Sequence, residues 1–197
     1  MIKYGVIDQI KEYAIANNVP IMSDSGIRFL TNYIKDNNIK DILEVGTAIG
    51  YSAIMMAIVS DDIHITTIER DEKRYLEAIK NVKKMDLEDR IHLIYKDAFD
   101  VKLNDKFDLV FIDAAKAQNT KFFEKFEYNL NSNGTIITDN MNFHGLVLKN
   151  ESEIESRNLR QLVRKIKDYK KFLENNSKYR TNFIEVGDGI AVSRRVN

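Results

Sequence analysis

Apolar residues recur along the chain at two different spacings, and the spacing predicts where helices and strands lie. Near the N-terminus they return every three or four residues, which is the period of an amphipathic helix. These positions are Val6, Ile10, Tyr13 and Ala14, followed by Ile27, Leu30 and Ile34. Ser23, Asp24 and Ser25 precede the second group and can cap a helix. Two helices are therefore predicted before the first strand, as a helical cap over residues 1–38.

From residue 39 onwards, short apolar runs alternate with helical stretches. Strands are predicted at 41–46, 63–69, 90–95, 107–113 and 134–140, and helices at 51–60, 72–85, 122–130 and 152–175. Strands separated in this way form βαβ units, whose parallel sheet carries helices on both faces. The last two runs, 181–186 and 189–194, flank Gly187, Asp188 and Gly189 and predict a hairpin that adds one antiparallel strand. The predicted fold class is α/β, a Rossmann-like, doubly wound, mostly parallel seven-stranded sheet.

Composition changes this picture little. The chain has 197 residues, 44% hydrophobic and 30% charged, with one proline and no cysteine. A single domain is therefore predicted over 1–197, with its core at 39–197. The lack of cysteine excludes disulfides and thiolate metal sites, so a metal would need oxygen or histidine ligands. The sequence shows neither a signal-peptide pattern nor a long uncharged apolar segment, which predicts a cytoplasmic protein without a membrane partner.

Charge is balanced overall and concentrated locally. Thirty basic and thirty acidic side chains cancel, so any contact with nucleic acid must come from a local patch. Residues 157–180 contain such a patch, with nine Lys or Arg against Asp168 and Glu174. The basic residues are 157, 160, 164, 165, 167, 170, 171, 178 and 180. This stretch is either a solvated helix face opposite an apolar stripe or a surface that attracts phosphates.

Acidic side chains follow almost every predicted parallel strand. They are Glu44, Glu69, Asp97, Asp113 and Asp139, the last with Asn140 beside it. Ligands of open α/β sheets bind beyond these strand ends. A buried carboxylate is costly unless it is paired. Asp113 must therefore cap a loop, pair with Lys116 one helical turn away, or bind a cation.

The stretch LEVGTAIGYS, residues 43–52, is a glycine-containing turn between a strand and a helix. It differs from the dinucleotide motif because Ala48 replaces the middle glycine and because Glu44 would repel phosphate. It favours a cationic or uncharged nucleoside. Glu69, 19 residues after Gly50, lies where such folds place the carboxylate that binds ribose. The alternative is a packing turn with a surface glutamate.

The ordered motifs ILEVGTAIGYSA, IERD, KDAFD, FIDAAK and ITDN resemble those of class I, S-adenosylmethionine-dependent, metal-dependent O-methyltransferases, the group of the catechol and caffeoyl-CoA enzymes. The resemblance covers residues 20–194. It implies that the cofactor's methionine end lies at the glycine turn, its ribose at Glu69 and its adenine at Asp97. The implied cofactor-binding residues are Met22, Glu44, Gly46, Ser52, Glu69, Asp97, Ala98 and Asp113.

The same resemblance implies a metal site at Asp113, Asp139 and Asn140 and assigns catalytic roles to Asp113 and Lys116. Two carboxylates and an amide oxygen suit magnesium, with manganese or calcium as replacements. A hard cation would lower the pKa of an acceptor hydroxyl. For Asp139 and Asn140 the alternative is a turn or helix cap. For Lys116, implied to be the base, it is a surface lysine paired with Asp113.

The substrate is predicted from the C-terminal third. The stretches DNMNFHGLV, RNLRQLVRKIKDYKKFLENN and NFIEVGDGIAVSRR most resemble bacterial tRNA 5-hydroxyuridine methyltransferases. This implies methylation of wobble-position 5-hydroxyuridine to 5-methoxyuridine, with the anticodon loop held by residues 157–180. His144 is a candidate substrate contact, whereas His64 and His92 are predicted to be structural.

Two other functions and an assembly state complete the expectations. One alternative is a methyltransferase of small catechol-like phenols or hydroxycinnamoyl thioesters. The other is a non-catalytic nucleoside-binding or RNA-binding module on the same fold. The resemblance also implies a homodimer.

Overall fold

The computed structural model describes residues 3–196, in which seven strands form one mixed sheet in the order β3-β2-β1-β4-β5-β7-β6. The strands are β1 (Asp41–Val45), β2 (His64–Glu69), β3 (Ile91–Tyr95), β4 (Phe107–Ile112), β5 (Leu130–Thr138), β6 (Tyr179–Ile184) and β7 (Ile190–Arg195). The helices are α1 (Tyr4–Ala16), α2 (Asp24–Asp36), α3 (Tyr51–Ala57), α4 (Glu72–Lys84), α5 (Asn119–Phe126) and α6 (Arg157–Glu174). Only β7 runs antiparallel to its neighbours within these residues. The predicted fold class is confirmed.

Two hydrophobic cores lie on opposite faces of the sheet because successive strand residues point to opposite sides. In β1, Ile42 joins the core with α1 to α4, while Leu43 joins the core with α5 and α6. In β4, Phe111 and Ile112 divide in the same way. Parallel strands buried on both faces need continuous apolar runs, which is why these strands could be recognised in the sequence.

Three predicted boundaries were wrong by four or five residues, and the others differ by three or fewer. The long helix begins at Arg157 rather than residue 152, because the Ser156 side chain accepts a hydrogen bond from the Leu159 N–H and caps it. The fifth strand begins at Leu130 rather than residue 134, because Leu130 pairs with Phe107 before an irregularity in register. The helix predicted at 122–130 ends earlier as α5 and continues as a 3-10 turn, Glu127–Asn129.

The two N-terminal helices were predicted correctly, and both pack against α3. In α2, the Ser23 side chain accepts from the Gly26 N–H, so the predicted cap is present. The division into a cap at 1–38 and a core at 39–197 stays a prediction. Within residues 3–196, no helix is both long and apolar enough to cross a membrane.

Candidate active site

A cavity of about 320 Å³ lies where the carboxyl ends of β1, β2 and β4 meet. The structure brings most of the predicted cofactor residues to its wall. The wall includes Met22, Gly46, Ser52, Glu69, Asp97, Ala98 and Asp113. Lys116 and Asn140 line the same cavity, so the predicted cofactor residues and part of the predicted metal site share one space.

Gly46 allows two strand ends to approach each other closely. Its φ is +105°, a conformation that L-residues rarely adopt. A Cβ at this position would lie 2.3 Å from the carbonyl oxygen of Asp113. The glycine of the first turn is therefore required by the backbone that carries Asp113.

Glu44, the remaining predicted cofactor residue, is fully buried and is not part of the cavity wall, although it contacts Ser52, which is. The Ser52 hydroxyl donates to its Oε1 and the Thr67 hydroxyl to its Oε2, each at 2.5 Å. Burial raises the pKa of Glu44 to about 7, and the two hydrogen bonds oppose this rise. Sequence reasoning missed Thr67, although the parallel register places it directly beside Glu44.

Glu69 ties the first glycine turn to the start of α4. Its Oε2 accepts from the Ala48 N–H at 2.8 Å. Its Oε1 accepts from the N–H groups of Arg70 and Asp71, both at 2.9 Å. These bonds fix the carboxylate at the cavity wall, so the predicted ribose-binding acid is held rigidly.

Asp97 is held at the neighbouring strand end. Its Oδ1 accepts from the Phe99 N–H at 2.9 Å, and its Oδ2 accepts from the Arg70 guanidinium at 3.3 Å. The ring of Phe99 stacks on that of Phe122, with centroids 4.8 Å apart. Both rings line the cavity beside Ala98. Sequence reasoning missed this aromatic pair, which forms a flat apolar wall.

Lys116 is largely buried and points toward the predicted metal ligands. Its Nζ donates to Asp113 Oδ1 at 2.5 Å, with side-chain exposures of 13% and 20%. Burial and, next, the charge of Asp113 raise the pKa of Asp139 to about 7, while the Lys116 charge lowers it. Two acids and Lys116 thus share a confined region. Lys116 pairs with Asp113, as the alternative expected, but from a largely buried position, and its role as base stays a prediction.

Asn140 completes this cluster when its amide is oriented to satisfy its neighbours. Its nitrogen then donates to Asp188 Oδ2 at 2.6 Å, and its oxygen accepts from Lys116 Nζ at 3.3 Å. Among residues 3–196, no group of three or more His, Cys, Asp or Glu side chains forms a metal-binding cluster. The predicted metal site contains only two side chains of these types, the carboxylates of Asp113 and Asp139, beside the amide of Asn140. The metal therefore stays a prediction.

The histidines lie outside this cluster. His144 is 79% exposed, and its Nδ1 lies 3.2 Å from Asp188 Oδ2. His64 and His92 line a separate open pocket with Asp41, at the opposite end of the parallel strands. The roles predicted for the three histidines stay predictions. Asp188, which contacts Asn140 and His144, was visible in the sequence only as part of a turn.

The whole described chain matches a family model described as O-methyltransferase, over residues 3–196. The chain belongs to the O-methyltransferase family. This O-methyltransferase is 30% identical to the caffeoyl-CoA O-methyltransferase of Populus kitakamiensis over 194 residues, covering 94% of this chain and 82% of the relative. The predicted enzyme class is therefore confirmed, as is the similarity to caffeoyl-CoA enzymes.

Crystal structures agree with this membership. A Staphylococcus aureus protein, provisionally named a caffeoyl-CoA O-methyltransferase, is 42% identical with a TM-score of 0.92, and the match covers 96% of this O-methyltransferase and 92% of that chain. The O-methyltransferase from Bacillus cereus in complex with SAH is 23% identical with a TM-score of 0.83, over 98% and 91% of the two chains. The second comparison supports the fold alone.

Proposed function

We propose that this O-methyltransferase binds S-adenosylmethionine in the 320 Å³ cavity and transfers its methyl group to one of two adjacent substrate oxygens. The observation that carries the proposal is the convergence of the Gly46 turn, Glu69 and the Asp113–Lys116 pair on one cavity. Two solved structures of this fold, 23% and 18% identical, are described in complex with SAH and SAM, and we carry that cofactor over as part of the proposal. The charge of the lining is mixed, since Glu69, Asp97 and Asp113 stand beside four basic side chains, and its three carboxylates suit a nucleoside that carries a sulfonium and no phosphate.

The chemistry of the donor set fits a hard divalent cation. Asp113 and Asp139 would supply carboxylate oxygens and Asn140 an amide oxygen, which are ligands that magnesium prefers and that manganese or calcium also accept. Burial and, next, the charge of Asp113 raise the pKa of Asp139, and a cation beside it would favour its ionised form. When bound, such a cation would orient a substrate hydroxyl and lower its pKa.

The protein's own groups account for positioning and proton transfer. The cavity wall would hold the sulfonium methyl group close to the acceptor oxygen and in line with it, which is the geometry that displacement requires. In the reaction the oxygen forms a bond to the methyl carbon as the carbon–sulfur bond breaks, giving a methyl ether and S-adenosylhomocysteine. Lys116 Nζ, when neutral, would accept the hydroxyl proton. Asp113 would position that amine.

For the acceptor we propose 5-hydroxyuridine at the wobble position of tRNA. Its hydroxyl and neighbouring carbonyl are adjacent oxygens, and an anticodon base can be splayed into a pocket. Helix α6 supports a polyanionic substrate. It leads from β5 into the parallel strand β6, so it begins at the active-site edge of the sheet. Its residues Arg157, Lys165 and Lys171 are exposed, whereas Val163 and Ile166 are buried.

A second acceptor class is favoured by the relatives. These include the Populus caffeoyl-CoA enzyme and a flavonoid 3',5'-methyltransferase of Vitis vinifera that is 27% identical over 206 residues. A catechol-like phenol or hydroxycinnamoyl thioester presents the same pair of adjacent oxygens. The chemistry of the site is compatible with both acceptor classes. The two classes differ in the surface that they require around the site.

Methyl transfer from labelled S-adenosylmethionine tests both acceptors. We expect transfer to tRNA from cells lacking this protein, with 5-methoxyuridine as the product in nucleoside mass spectrometry. Chelation of divalent cations and Asp139→Ala should each abolish it. Transfer to caffeoyl-CoA but not to tRNA would replace the RNA proposal, and wild-type rates for Asp139→Ala would refute the metal site. Absence of transfer to any acceptor would favour a non-catalytic binding module.

We also propose that the protein is a cytoplasmic homodimer. The exposed apolar side chains Tyr4, Ile15 and Leu76, from α1 and α4, support a self-association surface on the face away from α6. Light scattering coupled to gel filtration should give twice the chain mass, and a monomer at micromolar concentration would contradict the assembly.

A further inference from the structure

The loop that carries Asn140 is strained and needs support from outside itself. Asn140, Phe143 and His144 have φ values of +66°, +44° and +55°. This left-handed region is costly for residues other than glycine, and such strain persists only where the surroundings enforce it. The neighbouring hairpin between β6 and β7 provides that support.

Asp188, at the tip of this hairpin, contacts the loop with both its backbone and its side chain. Its carbonyl oxygen accepts from the Asn142 N–H at 2.7 Å, and the next carbonyl, of Gly189, accepts from the Met141 N–H at 2.9 Å. Its Oδ1 accepts from the His144 N–H at 2.6 Å. Its Oδ2 accepts from the Asn140 amide nitrogen at 2.6 Å. Asp188 therefore holds Asn140, Asn142 and His144, and Gly189 holds Met141.

The contact to Asn140 has a direction that the chemistry of a carboxylate dictates. An ionised carboxylate only accepts hydrogen bonds, so the amide nitrogen must face Asp188. The amide oxygen then faces Lys116, which donates to it at 3.3 Å. A half-turn of the amide would let its nitrogen donate to Asp139 Oδ2 at 3.3 Å, but it would bring its oxygen within 2.6 Å of Asp188 Oδ2 and put two acceptors in contact. Asp188 therefore decides which end of Asn140 faces the Asp113 cluster.

We propose that Asp188 is a positioning residue that fixes the amide of Asn140 so that its carbonyl oxygen points into the predicted metal site. The part of this inference that concerns the metal rests on the proposed function. The part that concerns the orientation of the amide rests on the geometry alone. An asparagine at position 188 would have nearly the same shape. It could donate as well as accept, and it would no longer distinguish the two amide orientations.

Two measurements on Asp188→Asn separate these parts. In ¹H–¹⁵N spectra of metal-free protein, the side-chain amide of Asn140, assigned by its loss in Asn140→Ala, should shift on substitution while backbone signals of the sheet are retained. Binding of Mn²⁺, followed by paramagnetic resonance of the free ion, should weaken at least tenfold, since outer partners of metal ligands typically contribute about 10- to 100-fold in affinity. The matched control is Glu185→Gln, which removes one charge from an exposed position of the same hairpin. It should change Mn²⁺ affinity less than about twofold.

The outcomes are distinct. An unchanged Asn140 amide in Asp188→Asn overturns the positioning role, whatever the metal does. A shifted amide with no Mn²⁺ binding to the unmodified protein leaves the role intact and refutes the metal part of the proposed function. Equal weakening by Glu185→Gln would show that charge alone acts, which also overturns the role. If Asp188→Asn does not fold, Asp188→Ser replaces it, because it keeps the backbone hydrogen bonds of the turn. The same shift of the Asn140 amide and the same weakening of Mn²⁺ binding are expected.

Discussion

At the scale of single residues, Glu44 makes stability depend on pH. Its pKa is raised by burial to about 7 in the folded chain, from an ordinary value of 4.5. The folded state therefore binds this proton more tightly than the unfolded state. The stability from this group is complete below pH 4.5 and is lost as pH rises through about 7.

Glu44→Gln should remove this dependence. As pH rises from 5 to 8, the free energy of unfolding of the unmodified cofactor-free chain should fall by roughly 2 to 3 kcal/mol more than that of Glu44→Gln. Urea denaturation of both proteins at the two pH values measures the difference. A constant difference would mean that Glu44 titrates normally despite its burial.

Substitution of Gly46 tests whether the ends of β1 and β4 must approach each other closely. Gly46→Ala should lower the free energy of unfolding by about 3 kcal/mol, because an unfavourable φ and a clash with the Asp113 carbonyl combine. It should also abolish S-adenosylhomocysteine binding in titration calorimetry.

The matched control for this substitution is Gly145→Ala. Gly145 has a φ of +76° and no atom within 4 Å of a Cβ placed there. Its substitution isolates the backbone cost, about 1 kcal/mol, from the clash. Equal losses for the two variants would show that contact with Asp113 contributes nothing.

The candidate site could be predicted from the sequence to the extent that it follows from parallel strands. Glu69 and Asp113 end apolar runs, and parallel strands bring their carboxyl ends to one edge. The contacts of Thr67 with Glu44 and of Asp188 with Asn140 could not be recognised in the same way. The first depends on strand register, and the second on how a distant hairpin packs against a loop, which no local pattern records.

At the scale of elements, the start of α6 shows where local pattern fails. Residues 152–156 are compatible with a helix, so the predicted helix included them. Hydrogen bonding sets the boundary instead, through the Ser156 cap. Elements with continuous apolar runs, such as β4, were placed within one residue of their observed ends.

The cap makes a prediction for α6. Ser156→Ala should lower the free energy of unfolding by about 1 kcal/mol, because the Leu159 N–H loses its partner. Thermal or urea denaturation measures this loss. Ser152→Ala, outside the helix and exposed, should change stability by less than about 0.5 kcal/mol. A larger loss of stability for Ser152→Ala than for Ser156→Ala would indicate that the helix begins near residue 152, as the sequence predicted.

At the scale of the whole molecule, zero net charge conceals an uneven distribution. Nine basic and two acidic residues lie between 157 and 180, an excess of seven, so the remainder of the balanced chain carries seven negative charges in compensation. A polyanion would therefore approach one face of the protein. On approach it would release counterions, and its affinity would fall steeply with salt.

Replacing Arg157, Lys165 and Lys171 by Gln should weaken tRNA binding and flatten its salt dependence. Single-stranded nucleic acid gives a slope of about 0.7 per phosphate contact in plots of log affinity against log salt. Loss of three contacts should therefore reduce the slope by about 2. Fluorescence anisotropy with labelled tRNA at several salt concentrations measures both quantities, while transfer to a small catechol should be unaffected.

The control removes the same charge from the other face of the sheet. Lys35, Lys73 and Lys83 are exposed on α2 and α4, and their joint replacement by Gln gives an identical change of net charge. If the long-range field of the whole protein attracts tRNA, both triple variants should flatten the slope alike. If α6 contacts the phosphates directly, only the first should do so. A slope unchanged in both would leave the α6 face as a solvated surface, and the small phenol would become the better candidate acceptor.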